Sequence, residues 1–190
     1  MHEHKSLDKI LLGFWVYLMT DLLMFSVLFA TFAVLRNNTF GAATIWEIFN
    51  PPFVLTETTI LLVSSFTCGL ANIATDAEDK TKTLLFLAIT FLLGLSFLGM
   101  ELYEFSSLVM EGNAPSRSAF LSSFFTLVGT HGLHILAGLI WIGLLLYFIS
   151  KRGLTDSNKG KVKLLSYFWH FLDIVWIFIF TFVYLMGAVS

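Results

Sequence analysis

Five long apolar runs, each closed by a short polar or charged stretch, account for most of the chain: about 10–35, 53–74, 83–105, 118–149 and 164–186. A helix rises 1.5 Å per residue, so runs of about 20 apolar residues match the hydrocarbon thickness of a bilayer. The connections are Arg36 to Pro52, Thr75 to Lys82, Glu111 to Arg117 and Lys151 to Lys163. All three prolines, Pro51, Pro52 and Pro115, fall in these connections, and Asn50-Pro51-Pro52 suits the start of a helix. The pattern predicts an all-α integral membrane protein, with residues 1–190 forming a single bundle of five transmembrane helices.

Composition agrees. The 190 residues are 57% hydrophobic and 13% charged, whereas soluble domains are about a quarter charged. No large soluble segment is left to carry chemistry outside the bilayer, and a net charge of −2 gives no support to a nucleic-acid partner. The first apolar run is too long for a signal-peptide core and has no convincing cleavage site, so it should remain as an anchor. Nine of the 11 Lys and Arg residues lie in the N-terminal stretch and in the second and fourth connections, leaving only Arg36 and Arg117 on the other side. By the positive-inside rule the N-terminus is cytoplasmic and, after five spans, the C-terminus lies outside.

Polar residues inside the runs are the candidate chemistry, because each is costly in lipid. In the fourth run, Leu127-Val128-Gly129-Thr130-His131-Gly132-Leu133-His134-Ile135 puts His131, His134 and Gly138 on one helix face and Gly129, Gly132 and Gly143 on another. The glycine face lets a neighbouring helix come close, so this helix should be packed on at least two sides. In the first run Asp21 shares a face with Phe14, Tyr17, Met24 and Leu28, and at that depth it must be protonated or paired. Glu57 lies one turn inside the second helix, where the helix dipole favours a carboxylate. Glu101 and Glu104 share a face near the end of the third; with Glu57 they read as membrane-edge acids. In the fifth run Trp169, His170, Asp173 and Trp176 fall within about 120° of one another, a polar and aromatic face suited to protein rather than lipid.

Catalytic readings are thin. There is no Gly-rich phosphate loop, no nucleophile beside a base and no Cys/His cluster. His131 and His134 on one helix face cannot bind opposite sides of one haem, and a zinc site wants further ligands. Glu101 and Glu104 could form half of a di-metal site, but no matching Glu-x-x-His follows. Cys68 is alone and reads as packing; His2 and His4 read as a solvated terminus. A stand-alone ion-coupled transporter would also use buried Asp, Glu and His, yet five spans do not divide into two repeats. The residues alone therefore imply a five-helix membrane protein that is a subunit of something larger, with no catalytic residue and no metal site of its own.

Several blocks resemble a known family, subunit III of the haem-copper terminal oxidases. His131-Gly132-Leu133-His134 is similar to its paired histidines, and Phe168-Trp169-His170-Phe171-Leu172-Asp173-Ile174-Val175-Trp176 to its last-helix signature. Gly13-Phe14-Trp15-Val16-Tyr17-Leu18-Met19-Thr20-Asp21, Phe53-Val54-Leu55-Thr56-Glu57-Thr58, Gly99-Met100-Glu101-Leu102-Tyr103-Glu104-Phe105 and the ending Val183-Tyr184-Leu185-Met186-Gly187 extend the likeness over nearly the whole chain. Two further N-terminal helices of many cytochrome c oxidase relatives are missing, and Asp21 stands where those relatives usually carry Glu. Both departures favour the cytochrome bo type ubiquinol oxidase branch. The resemblance implies an accessory subunit without haem or copper in a bacterial inner membrane. It would work beside subunits I, II and IV of a complex that oxidises ubiquinol, reduces oxygen to water and pumps protons. Haem and copper would sit in subunit I, and phospholipid in a cleft between the helices of this subunit. It also suggests that Asp21 pairs with His134. Depth agrees, since Asp21 lies 11 residues, about 16 Å, into its span and His134 lies near the middle of its own.

Overall fold

The computed structural model describes residues 2–36, 38 and 51–185. Within them the chain is helical in five long elements: α1 (His2–Leu35), α2 (Pro51–Asp76), α3 (Lys80–Met110), α4 (Ala119–Arg152) and α5 (Asp156–Ile179), the last continued by a π-helical turn, Phe180–Leu185. All five are long and apolar enough to cross a membrane. Most of the first connection and the residues from Met186 onward lie outside the described residues.

The helices run past the apolar stretches, because local capping rather than hydropathy ends them. Pro51 and Pro52 open α2, where a missing N–H costs nothing. Asp79, Ser118 and Thr155 cap α3, α4 and α5 by accepting the backbone N–H of Lys82, Leu121 and Asn158. Gly112 after α3 and Gly153 after α4 turn left-handed at φ 82° and 74°, which releases the chain from each helix. Glu78 does the same after α2 at φ 59° without being glycine. Its carboxylate meets Lys159 Nζ at 2.6 Å, which holds it below the usual carboxylate range. Two connections expected as loops are thus far shorter: the basic stretch Lys151 to Lys163 is helical except for residues 153–155, and Thr75 to Lys82 except for residues 77–79. A helix that leaves the bilayer loses nothing by continuing into water.

Four helices close a ring in which α2 packs on α3, α3 on α4, α4 on α5 and α5 back on α2. α1 lies outside the ring and packs on α4 and α5. Burial follows this plan: half of the α5 span is buried against 22% of the α1 span. The ring centre is filled by Phe97, Phe124, Leu127, Ile135, Trp169 and Trp176, all essentially inaccessible.

Candidate functional site

Two tryptophans of α5, two turns apart, hold the ring together. Trp169 lies between two glycines: a Cβ on Gly94 of α3 would come within 2.9 Å of the indole, and one on Gly138 of α4 within 2.8 Å. Its Nε1 donates to Ser64 Oγ of α2 at 3.0 Å. One side chain therefore touches all three other helices of the ring. Trp176 repeats the arrangement one level up: Nε1 donates to Thr58 Oγ1 at 3.1 Å, the ring meets Phe97 edge-on at 4.7 Å, and it stacks on His131 at 5.2 Å. Each indole fills the centre and satisfies its one donor, as a buried Trp must.

The two histidines of α4 face different neighbours. His131 points into the ring, fully buried among Trp176, Phe97 and Phe25. His134 points toward α1, where its Nε2 lies 3.8 Å from Asp21 Oδ2. Its Nδ1 donates to Thr130 O at 2.7 Å, so a neutral His134 presents a lone pair, not a proton, to Asp21. The 3.8 Å separation is a polar contact between α1 and α4 rather than a hydrogen bond. Both side chains are largely shielded, 18% and 12% exposed, and neither is stable there as an isolated charge. Asp21→Ala and His134→Leu are therefore expected to be non-additive by roughly 0.5 kcal/mol or more, as for polar side chains in contact across two helices. Asp21→Asn should keep most of that coupling, because the amide NH₂ can donate to Nε2. A double-mutant cycle on complex stability in detergent checks this; strict additivity would mean that Asp21 leans on another group.

The three glutamates are all inward-facing. Glu57 of α2 and Glu101 and Glu104 of α3 are buried, close enough to feel one another's charge. Glu104 accepts from the Tyr184 hydroxyl at 3.4 Å, while Glu57 and Glu101 find no hydrogen-bond partner among the described residues. Position along the helix placed these acids near its ends but could not show that they face the ring. Gly132 makes room for one of them: a Cβ there would lie 2.6 Å from Glu101 Oε1. With Gly129 against Phe105 and Gly143 against Phe91, the glycine face of α4 is the face that meets α3.

On the last helix Trp169, Asp173 and Trp176 are buried, whereas the His170 side chain stays 43% exposed. Its Nδ1 lies 2.6 Å from Ser65 Oγ of α2 and 3.8 Å from Asp173 Oδ2. Among the described residues no three of His, Cys, Asp and Glu group closely enough to hold a metal ion.

Sequence reading missed the hydroxyl partners on α2. Glu57, Ser64 and Ala71 repeat every seven residues with Leu61, Cys68 and Thr75 between them, and all are buried. That heptad of small and polar residues marked Ser64 but not Thr58 or Ser65, which each stand one position outside it.

A family model described as cytochrome c oxidase subunit III matches residues 1–188. The chain is 55% identical over 187 residues to cytochrome bo(3) ubiquinol oxidase subunit 3 of Pseudomonas aeruginosa, covering 98% of this chain and 90% of that protein. It is 48% identical over 177 residues to quinol oxidase subunit 3 of Bacillus subtilis, covering 93% and 87%. To cytochrome c oxidase subunit 3 of Bacillus sp. strain PS3 it is 47% identical over 179 residues, covering 94% and 86%.

Proposed function

The chain belongs to the cytochrome c oxidase subunit III family, and on that premise we propose that it is the accessory third subunit of a bacterial quinol oxidase. The observation that carries this is the 55% identity to a ubiquinol oxidase subunit 3 over 98% of the chain. Five membrane-crossing helices and bacterial relatives make it a multi-pass protein of the inner membrane. The relatives compared are oxidase subunits, which gives the transporter reading no support.

Subunit I carries haem and copper, subunits II and IV complete the complex, and ubiquinol is the electron donor. This chain binds no haem, copper or zinc and contributes no catalytic residue. Its N-terminus is cytoplasmic, on the side of nine of its 11 Lys and Arg residues. Its buried tryptophans and the Asp21/His134 pair hold the bundle in shape. Phospholipid occupies the groove of about 430 Å³ between α1 and α5, where Phe25, Phe29, Ile174 and Phe178 suit an acyl chain. Arg36, also lining that groove, suits a phosphate.

Two measurements test the reading. On a native gel of membrane extract the tagged chain should migrate with the haem stain in one large complex; migration alone, apart from haem, would sink it. Deleting the chain should leave haem content and the first turnovers intact, with activity declining over successive turnovers or assembly reduced. Loss of single-turnover oxygen chemistry at normal haem content would overturn the accessory role.

A further inference from the structure

Contacts between neighbouring helices fix which residues of the ring share a level. Phe53 of α2 stands against Tyr103 of α3, and Thr67 against Thr90, a register that sets Glu57 level with Glu101 to within a turn. Glu101 lies against Gly132 of α4, the residue after His131. His131 stacks on Trp176 of α5, and Trp176 donates to Thr58, the residue after Glu57. One cross-section of the ring therefore receives Glu57, Glu101 and His131 from three helices and Trp176 from the fourth. The three ionisable side chains are 0%, 2% and 0% exposed. Neither the four carboxyl oxygens nor the two ring nitrogens have a hydrogen-bond partner among the described residues. The acids are thus joined by an inward-pointing, fully buried histidine and not only by one another. One turn beyond Glu101, Glu104 accepts from the Tyr184 hydroxyl, carried by the π-helical turn. From α1 the level receives only Phe25 against His131, while Asp21 faces His134. No Lys or Arg occurs at 37–79, 83–116, 118–150 or after 163, so no cation neutralises the acids. In a lipid-buried bundle, a carboxyl that carries a proton sheds its charge and gains a donor.

We propose that this cross-section is a proton-binding site, in which Glu57, Glu101 and His131 hold and exchange protons, and Glu104 with Tyr184 connects them to water at the nearer membrane face. Glu57 lies six residues from Pro51, where α2 begins, and Glu104 six residues from Met110, where α3 ends, about 9 Å in each case. A neutral imidazole has one nitrogen that accepts and one N–H that donates. His131 can therefore take a proton from one carboxyl at the first nitrogen and release another from the second, ending neutral again. The site is built from this chain's own residues and stands independently of which complex the chain joins.

The test is infrared difference spectroscopy on the native assembly that contains the chain, purified in detergent. Parent-minus-variant spectra for Glu57→Gln and for Glu101→Gln should each show the carbonyl band of a protonated carboxyl, and that band should move when the parent is transferred to D2O. Glu57→Asp and Glu101→Asp keep the acid and should displace the band rather than remove it; they give the same readout if glutamine prevents assembly. His131→Phe, which keeps an aromatic ring against Trp176, should displace both bands, because the carboxyls lose the nitrogens they share. Glu104→Gln and Tyr184→Phe should leave the bands in place and slow the D2O response several-fold. Absence of a protonated-carboxyl band for both acids overturns the proposal, and so does a band that never responds to D2O. Bands unmoved by His131→Phe, or an exchange rate unchanged in both Glu104→Gln and Tyr184→Phe, would equally overturn the site as assigned.

Discussion

Trp169→Ala should destabilise the bundle by about 3 kcal/mol or more, near the lower end for a buried Trp-to-Ala change because lipid reduces the transfer contribution. In a bilayer the surviving term is packing, and here it is concentrated in one side chain. Trp169 is wholly buried, and its two flanking walls are Gly94 and Gly138, whose backbones come within van der Waals contact of the indole. Glycines have no side chain to swing into the hole, so a cavity would persist rather than collapse. The Ser64 hydroxyl would also lose the indole N–H that it accepts at 3.0 Å. Reversible unfolding of the purified chain in mixed micelles measures the change, and Trp169→Phe should recover more than half of it. A loss below about 1 kcal/mol for the alanine variant would mean that the ring is not built on this residue.

The second large effect comes from the opposite change at the same place. Gly138→Val should destabilise by about 2–3 kcal/mol, the upper part of the overpacking range. Its Cβ alone would lie 2.8 Å from Trp169 Cζ3 and 3.3 Å from Phe168 Cε1, atoms of rigid rings that cannot bend away. Gly132→Ala makes a useful contrast. Its Cβ would come closer still, 2.6 Å from Glu101 Oε1, but that atom ends a flexible side chain and can turn aside. The milder effect should therefore appear at the shorter distance. In the Trp169→Ala background the sign at position 138 should reverse, because valine then enters the space the indole left. The measurement is the double-mutant cycle: the pair should be more stable than the sum of the singles by more than about 2 kcal/mol, the amount a reversed sign requires. Simple addition would show that α4 and α5 do not meet through these two positions.

Much of this architecture is legible in the amino-acid sequence. A run of apolar residues in lipid has one stable backbone state, the helix, so the five spans followed from hydropathy alone. Their ends did not, because hydropathy stops at the membrane while Thr155 and Gly153 decide where the last two helices begin and end. The 100° wheel grouped His131, His134 and Gly138 on one face. The bundle divides that face among three neighbours: Trp176, Asp21 and Trp169. A difference of 60° about the α4 axis separates the ring interior from α1, and no periodicity argument says where a neighbour will stand.

The sequence by itself determined the number of spans, the residues too polar for lipid and the glycine face of α4, since each follows from the cost of a side chain in a given solvent. Only the tertiary structure decided which of those residues meet. It turned Glu57, Glu101 and Glu104 toward the ring, set Trp169 between Gly94 and Gly138, and left His170 on the outer surface. The reason is that solvent transfer acts on one residue at a time, while packing acts on the gap between helices. That gap is set by residues far apart in the chain, such as Ser64, Gly94, Gly138 and Trp169.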